Sequence, residues 1–198
     1  MQQRSEETRS NILDASIHLF AAQGFERTSV SEICTEAGVS KGAFFHHFPT
    51  KQDVFLQVLD NWLAGLDVEL KALIAGSSSV SDGLVQMASL THEIFNQSNG
   101  QLGMFLEFWE QSRHNPEVWK ITVAPYRKYT SLFASYLRRG IEEGSIEPVD
   151  PEVAARTIVA MAVGFLLQNM MDPEGTDWES VVVNSMNLLL NGLKRRKQ

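Results

Sequence analysis

"VSKGAFFHHF", residues 39–48, places Ser, Lys and Gly at its start, Phe and His pairs in its middle, and no acid anywhere. It is too polar for a core helix and too aromatic for an ordinary solvated one. Upstream, "TSVSEICTEAG" offers Ser29 as an N-cap with Glu32 at the position that closes a capping box. The helix started there runs to about Ala37, before Gly38. Ser40 caps a further short helix, which Pro49 closes. Short helices joined by "AGVS" have the dimensions of a helix-turn-helix. Cys34 and Ala37 are small enough for the helices to pass closely, and Gly38 supplies a turn conformation that a side chain resists. Ile33, Val39, Phe44 and Phe48 are spaced to seal a small core against Leu19 and Phe20, leaving Lys41, Gly42, Phe45, His46 and part of His47 outside. A helix start with a Ser cap, a Lys and a side-chain-free Gly suits close approach to an anion. Its unpaired backbone N–H groups and positive dipole end both favour phosphate.

Working outward, the periodicity stays helical. Ile12, Leu13, Ser16, Leu19 and Phe20 recur at helical steps until Gly24 stops the first helix. Thr50 caps a long amphipathic helix with Asp53 in its first turn and Phe55, Leu59, Trp62, Leu63, Leu66 and Leu70 along one face. "AGSSSVSDG" is the clearest loop. Beyond it the pattern predicts helices over about 83–97, 101–114, 116–141, 150–171 and 177–195, with Pro125 expected to kink or split the third of them. No stretch alternates with period two long enough for a strand. The expected fold is all-α with about nine helices: an N-terminal three-helix domain with the helix-turn-helix, and a larger C-terminal helical bundle. The expected domains are residues 1–51 and 52–198.

Residues 8–55 resemble the DNA-binding domain of the tetracycline-repressor (TetR/AcrR-like) family of bacterial transcriptional regulators. The matching residues are "TRSNILDASIHLF", "GFERTSVSEI" and "AGVSKGAFFHHFPTKQDVF". The resemblance implies that the second short helix enters the major groove while flanking residues hold phosphates. Carried over to matching positions, Thr28 and Ser29 are phosphate contacts and Ser40, Lys41 and Gly42 begin the recognition helix, with Lys41 and Gly42 nearest the base edges. Phe45, His46 and His47 face the duplex, and Lys51 holds a phosphate. Position 45 is Phe where the family often has Tyr, which replaces a hydroxyl contact by an apolar one, such as to a thymine methyl. Position 34 is Cys where Ala is usual, expected to be a tolerated small buried residue, against the alternative of a thiol sensor.

Charge pulls the other way. Residues 1–51 carry five cations (Arg4, Arg9, Arg27, Lys41, Lys51) against six acids, a balance of −1, within a whole-chain charge of −7. No basic footprint stands out, so any DNA contact must come from placement. The hydrophobic share of 43% and charged share of 21% are ordinary for a globular chain. A lone Cys34 forms no internal disulfide or thiolate metal site and fits a reducing compartment. The polar start "MQQRSEETRS" lacks a signal-peptide pattern, and the apolar run Ile158–Leu167 is about half the roughly 20 residues of a membrane span. A cytoplasmic protein without membrane contact is expected.

The resemblance implies that residues beyond 52 dimerise and hold a small inducer. Val181, Val182 and Val183, like Leu188, Leu189 and Leu190, point several ways around a helix, whereas a monomer's surface helix buries one stripe. The excess suggests a homodimer through the last two helices, which would present paired recognition helices to a palindromic operator; the bland alternative is that both helices are central in one bundle. Candidate ligand contacts are Met87, Thr91, Phe105, Trp109, Tyr126, Tyr129, Met161 and Gln168, mostly apolar walls with a few hydroxyls and an amide, suited to a hydrophobic or aromatic inducer. Glu107 falls with Glu110, Gln111 and His114 on a polar face. "HEIFN" begins like a zinc-protease helix but has Asn96 where the second His is required. No catalytic residue, metal site or cofactor is expected, and the terminal "KRRKQ" reads as a solvated helix end. A ligand-responsive repressor is the leading expectation. A helical carrier or enzyme keeping an idle helix-turn-helix, and a protein-interaction module using the C-terminal helices, are the alternatives.

Overall fold

The computed structural model describes residues 2–97 and 101–193, with side-chain surroundings for 4–90, 105–106, 108–110 and 112–192. Every element in the described residues is a helix: α1 (Gln2–Gln23), α2 (Val30–Glu36), α3 (Lys41–His47), α4 (Lys51–Gly76), α5 (Val80–Gln97), α6 (Gln101–Ser112), α7 (Pro116–Glu142), α8 (Pro151–Met171) and α9 (Trp178–Leu193). The chain forms two compact units, one of residues 1–66 and 99–116, the other of residues 67–98 and 117–198.

Local chemistry sets the helix ends. At α2 the Ser29 hydroxyl accepts the Glu32 N–H at 3.2 Å, and the Glu32 carboxylate accepts the Ser29 N–H at 2.7 Å. Gly38, at φ +65°, ends α2 in the left-handed conformation. There Val39 N–H bonds the Cys34 carbonyl and Gly38 N–H that of Thr35, the paired bonds of a Schellman motif. Asp150 caps α8 by accepting the N–H groups of Glu152 and Val153, with Pro151 pre-set for the first turn. The Gly/Ser loop is shorter than its composition suggests. The Ser79 hydroxyl accepts the Asp82 N–H and the Glu143 carboxylate accepts the Val80 N–H at 2.8 Å, so α5 starts at Val80.

Pro125 does not split its helix: α7 is continuous through it. The carbonyl left without a donor belongs to Ile121, an exposed residue, where solvent can satisfy it.

In the first unit the core is aromatic. Phe55 lies flat on Phe108, centroids 3.9 Å apart and planes at 14°. Phe25 meets both at 5.4 and 5.2 Å, and Phe20 closes on Phe25 at 5.3 Å. All are buried, each worth about 1.5–3 kcal/mol of burial with a further ~0.5–1.5 kcal/mol per well-oriented pair. Ile33, Phe44 and Phe48 are buried as the spacing predicted, whereas Leu19 and Val39 are half-buried.

In the second unit Leu84, Leu137, Ile158 and Leu190 are buried. Gly83 admits the Tyr136 side chain, whose hydroxyl would meet an added Cβ at 1.9 Å and which bonds Ser77 at 2.8 Å. Helix α9 packs on α5 and α8 and buries a single stripe, Val182, Met186 and Leu190. Helix α8 is apolar beyond the Ile158–Leu167 run. At 21 residues, with an 18-residue stretch of mean hydropathy 1.4, it is long and apolar enough to cross a membrane, and only 22% of that stretch is buried. The short run understated it because Val153, Ala154 and Ala155 on one side and Met170 and Met171 on the other extend the apolar sequence past Arg156 and Gln168.

Replacing Phe55 by Ala should cost about 3–5 kcal/mol in chemical denaturation, since it removes the ring against which its neighbours stack. A loss below about 1 kcal/mol would show that the cluster is not the keystone of this unit.

Candidate nucleic-acid interface

The helix-turn-helix divides its residues cleanly. Phe44 is fully buried and Phe48 nearly so, which fixes the rotation of α3 about its axis. The opposite side then has no choice but solvent: Ser40, Lys41, Gly42, Phe45 and His46 are exposed, and His47 is half-buried. Phe45 is 52% exposed, a large apolar side chain held out by its T-shaped contact with Phe44 at 5.3 Å. The His46 and His47 rings meet edge to face at 5.2 Å. The Ser40 hydroxyl accepts the Ala43 N–H at 3.1 Å. Nothing but a hydrogen stands on Gly42, and a Cβ there would meet only the Ser40 hydroxyl, at 3.8 Å. The start of α3 therefore offers little obstruction to a flat or grooved partner. Ser29 is likewise exposed at the start of α2.

Two expected phosphate contacts lie elsewhere. Thr28 is 1% exposed, its hydroxyl donating to the Gly24 carbonyl at 2.8 Å and accepting from Gln23 at 3.2 Å, so it is not presented outward. The Lys51 ammonium is folded onto the α1–α2 turn, donating to the carbonyls of Phe25 at 2.6 Å and Thr28 at 2.8 Å. Arg9 is also turned inward, donating to Gln57 at 2.6 Å with its guanidinium 5.3 Å from the Phe48 ring. The role of Arg9 carried no sequence signal, because its partner is 48 residues away. Cys34 is buried beneath the turn, and burial pushes its thiol pKa up, with Lys41 pulling weakly the other way. A protonated, enclosed thiol is a poor nucleophile and hence a poor redox sensor.

The expected ligand contacts divide between the units. Phe105 belongs to the first, where its ring packs on Phe55 at 5.7 Å and Trp62 at 5.2 Å, and Trp109 is half-buried in the same unit. In the second, Met87 is buried, Tyr126, Tyr129 and Met161 are half-buried, and Gln168 is exposed. The Gln168 amide turns back to the Gly164 carbonyl at 3.3 Å, which makes it a solvent-facing residue of α8 and not an interior one. Thr91 and Glu107 have side chains outside the described residues, and "KRRKQ" lies outside them altogether. Tyr129 donates to Asp67 at 3.0 Å, and Lys128 pairs with the same carboxylate. Burial, followed by the Asp67 carboxylate, pushes the Tyr129 phenol pKa well up. Burial would raise Asp67, yet the bonds from Lys128 and Tyr129 outweigh it and leave the carboxyl below its usual range. An open cleft of about 410 Å³ beside Ser78, Ser81, Asp82, Gln86, Asn187 and Leu190 contains none of the expected ligand residues.

Comparisons with known proteins meet this geometry. The family pattern described as bacterial regulatory proteins, tetR family, matches residues 12–58. The pattern described as BetI-type transcriptional repressor, C-terminal, matches residues 85–183. The HTH-type transcriptional regulator UidR of Escherichia coli (strain K12) is 26% identical over 198 residues, covering 98% of this chain and 96% of that one. A transcriptional regulator from Saccharomonospora viridis, solved in complex with choline, has a similar fold (TM-score 0.83, 21% identity, 96% of this chain and 100% of that one). So does FadR from Bacillus subtilis in complex with stearoyl-CoA (TM-score 0.81, 21% identity, 93% of this chain and 98% of that one). Fold and helix-turn-helix together define the class, a DNA-binding transcriptional regulator. The chain belongs to the tetR family of bacterial regulatory proteins.

The capping box makes a pH prediction. Hydrogen bonds from the Ser29 hydroxyl and the Ser29 backbone hold the Glu32 pKa below its ordinary value. A depressed folded pKa stabilises the fold above the unfolded value and is lost as pH falls through the folded one. Glu32→Gln, which keeps an acceptor for Ser29 but not the charge, should therefore lower neutral-pH thermal stability slightly and remove the matching part of the acid destabilisation expected below about pH 4.3. Unchanged acid dependence of the melting temperature would exclude Glu32 as a contributor.

Proposed function

We propose that this chain is a homodimeric repressor that binds a palindromic operator and is released by a small hydrophobic or aromatic inducer. The observation that carries the DNA-binding part is the locked rotation of α3, with Phe44 inward and Ser40, Lys41, Gly42, Phe45 and His46 outward. The phosphate contacts are Ser29 and the N-terminal amides of α3, and the base contacts come from Lys41 and Gly42, with Phe45, His46 and His47 against the duplex. Such a protein works in the cytoplasm, where its operator is, and the reaction it serves is binding alone, with no catalytic step.

The dimer forms through α8 and α9. Once α9 has buried its Val182 stripe, Leu188 remains 74% exposed, and Val153, Met170 and Met171 of α8 are also exposed. Residues 161–167 of α8 are all half-buried. Apolar surface of this kind on a soluble regulator marks a partner surface, and the α8–α9 pair meeting its symmetry copy gives a four-helix interface. The family pattern over residues 85–183 includes all of α8, which favours a second copy over a bilayer as its cover. A closed two-fold presents recognition helices about 34 Å apart, one helical turn of duplex.

The inducer contacts proposed are the unit-two residues Met87, Thr91, Tyr126, Tyr129 and Met161, whose mixture of apolar walls and hydroxyls suits an apolar or aromatic ligand. The choline and stearoyl-CoA bound by the similar structures support a small-molecule role for this half without naming its ligand. Induction is a population shift: the inducer must bind better to the dimer whose recognition helices no longer match the groove spacing. Helix α4, continuous from Lys51 to Gly76, is the element that would carry the change.

Selection of the purified protein against random-sequence duplex DNA should enrich a palindrome bound with steep salt dependence. No enrichment would sink the operator. Lys41→Ala should lose about 1–3 kcal/mol, concentrated at one or two base positions of that palindrome. In sedimentation, the dimer of the unsubstituted chain should dissociate in Leu188→Asp, with a parallel loss of operator affinity. A Leu188→Asp protein that stays dimeric would move the interface elsewhere.

A further inference from the structure

The N-terminal region is nearly neutral, so the placement of each of its few cations matters. Lys51 opens α4 with three N–H donors and no acceptor. Its ammonium lies 2.6 Å from the Phe25 carbonyl, 2.8 Å from that of Thr28 and 3.3 Å from that of Glu26. It also sits 4.3 Å from the centroid of the Phe25 ring, in cation–π range. These carbonyls belong to a turn outside any helix and need donors of their own. A phosphate could reach this ammonium only by displacing bonds that are already short and charge-assisted.

The turn so held leads directly into the DNA-facing cap. It starts at Gly24, in the left-handed conformation at φ +87°, and ends at Ser29. Within it, Thr28 bonds back to Gly24 and Arg27 bonds back to the Gln23 carbonyl at 2.6 Å, both local contacts. Lys51 adds a tie from 23 to 26 residues away, between the start of α4 and the turn. Its charge also reaches Glu32, the partner of Ser29 in the capping box, where it is the smallest of the influences that favour the carboxylate.

We propose that Lys51 is a positioning residue for DNA binding: by closing on the carbonyls of Phe25, Glu26 and Thr28 it sets how Ser29 and the start of α2 meet the phosphate backbone, and it does not itself neutralise a phosphate. This rests on the DNA-binding role proposed above. It makes the first residue of α4 the point where displacement of that helix is converted into displacement of a phosphate-contacting turn.

The test uses the full-length chain with Lys51→Met and Lys51→Arg. Met keeps the aliphatic stem and loses the charge, whereas Arg keeps the charge but offers a planar fork that cannot converge three donors on these carbonyls. Affinity for the selected operator is measured across salt concentrations, with all proteins well below their melting temperatures. Amide hydrogen exchange over residues 24–32 is followed without DNA. Both variants should lose affinity on the order of tenfold, the scale of one charge-assisted hydrogen bond, keep the unsubstituted salt slope, and exchange faster across the turn. A phosphate contact gives the opposite pattern and overturns the proposal: Lys51→Arg behaves as the parent, while Lys51→Met lowers the slope by about 0.9. Faster exchange with unchanged operator affinity overturns it too, leaving Lys51 a purely structural tie. If Lys51→Met does not fold, Lys51→Arg alone separates the cases. Failure of the parent protein to bind duplex in a salt-sensitive way counts against the DNA-binding role, and unchanged exchange in the variants counts separately against Lys51 as holder of the turn.

Discussion

Burial of Phe44 is the constraint on which the DNA-facing surface depends. A seven-residue helix has too few backbone hydrogen bonds to hold itself in place, so α3 takes its orientation from what its one fully buried side chain must do. With Phe44 inside, the helical period puts Phe45 and His46 outside. The Schellman turn at Gly38 and the Ser40 cap fix where the helix begins, and Pro49 ensures that it ends. The aromatic stack of Phe20, Phe25, Phe55 and Phe108 gives that arrangement a rigid floor.

A low net charge does not conflict with nucleic-acid binding once the cations are located. Of those in the first 51 residues, Arg9 and Lys51 are turned to internal acceptors, and Arg27 donates to a backbone carbonyl. Lys41 stands exposed at the start of the recognition helix. In the second unit, α8 leaves Val153, Met170 and Met171 exposed and residues 161–167 half-buried.

Much of this was legible in order of appearance along the chain. Caps, glycines and apolar spacing are local signals, and the expectations drawn from them at Ser29, Gly38, Ser40 and Thr50 correspond to observed hydrogen bonds or turn conformations. Of the kink or split expected at Pro125, the split does not occur. A proline in mid-helix costs most when the orphaned carbonyl is buried, and exposure of Ile121 could not be read from spacing. The ligand set was the least legible, because an apolar helix face looks the same whether it lines a cavity or fills a core. Phe105 shows this: its ring packs in the aromatic core of the first unit.

By itself the sequence determined the all-helical class, the helix-turn-helix and the outward set on α3, since these follow from periodicity and capping within a few residues. Tertiary structure alone decided where the polar tips of Thr28, Arg9 and Lys51 go. Each is exposed by any local rule, and each is turned inward by an acceptor whose position depends on the folded turn or on another helix. A long cationic side chain reaches several ångströms in any direction, so its charge is placed by the acceptors that folding assembles and not by its position in the chain.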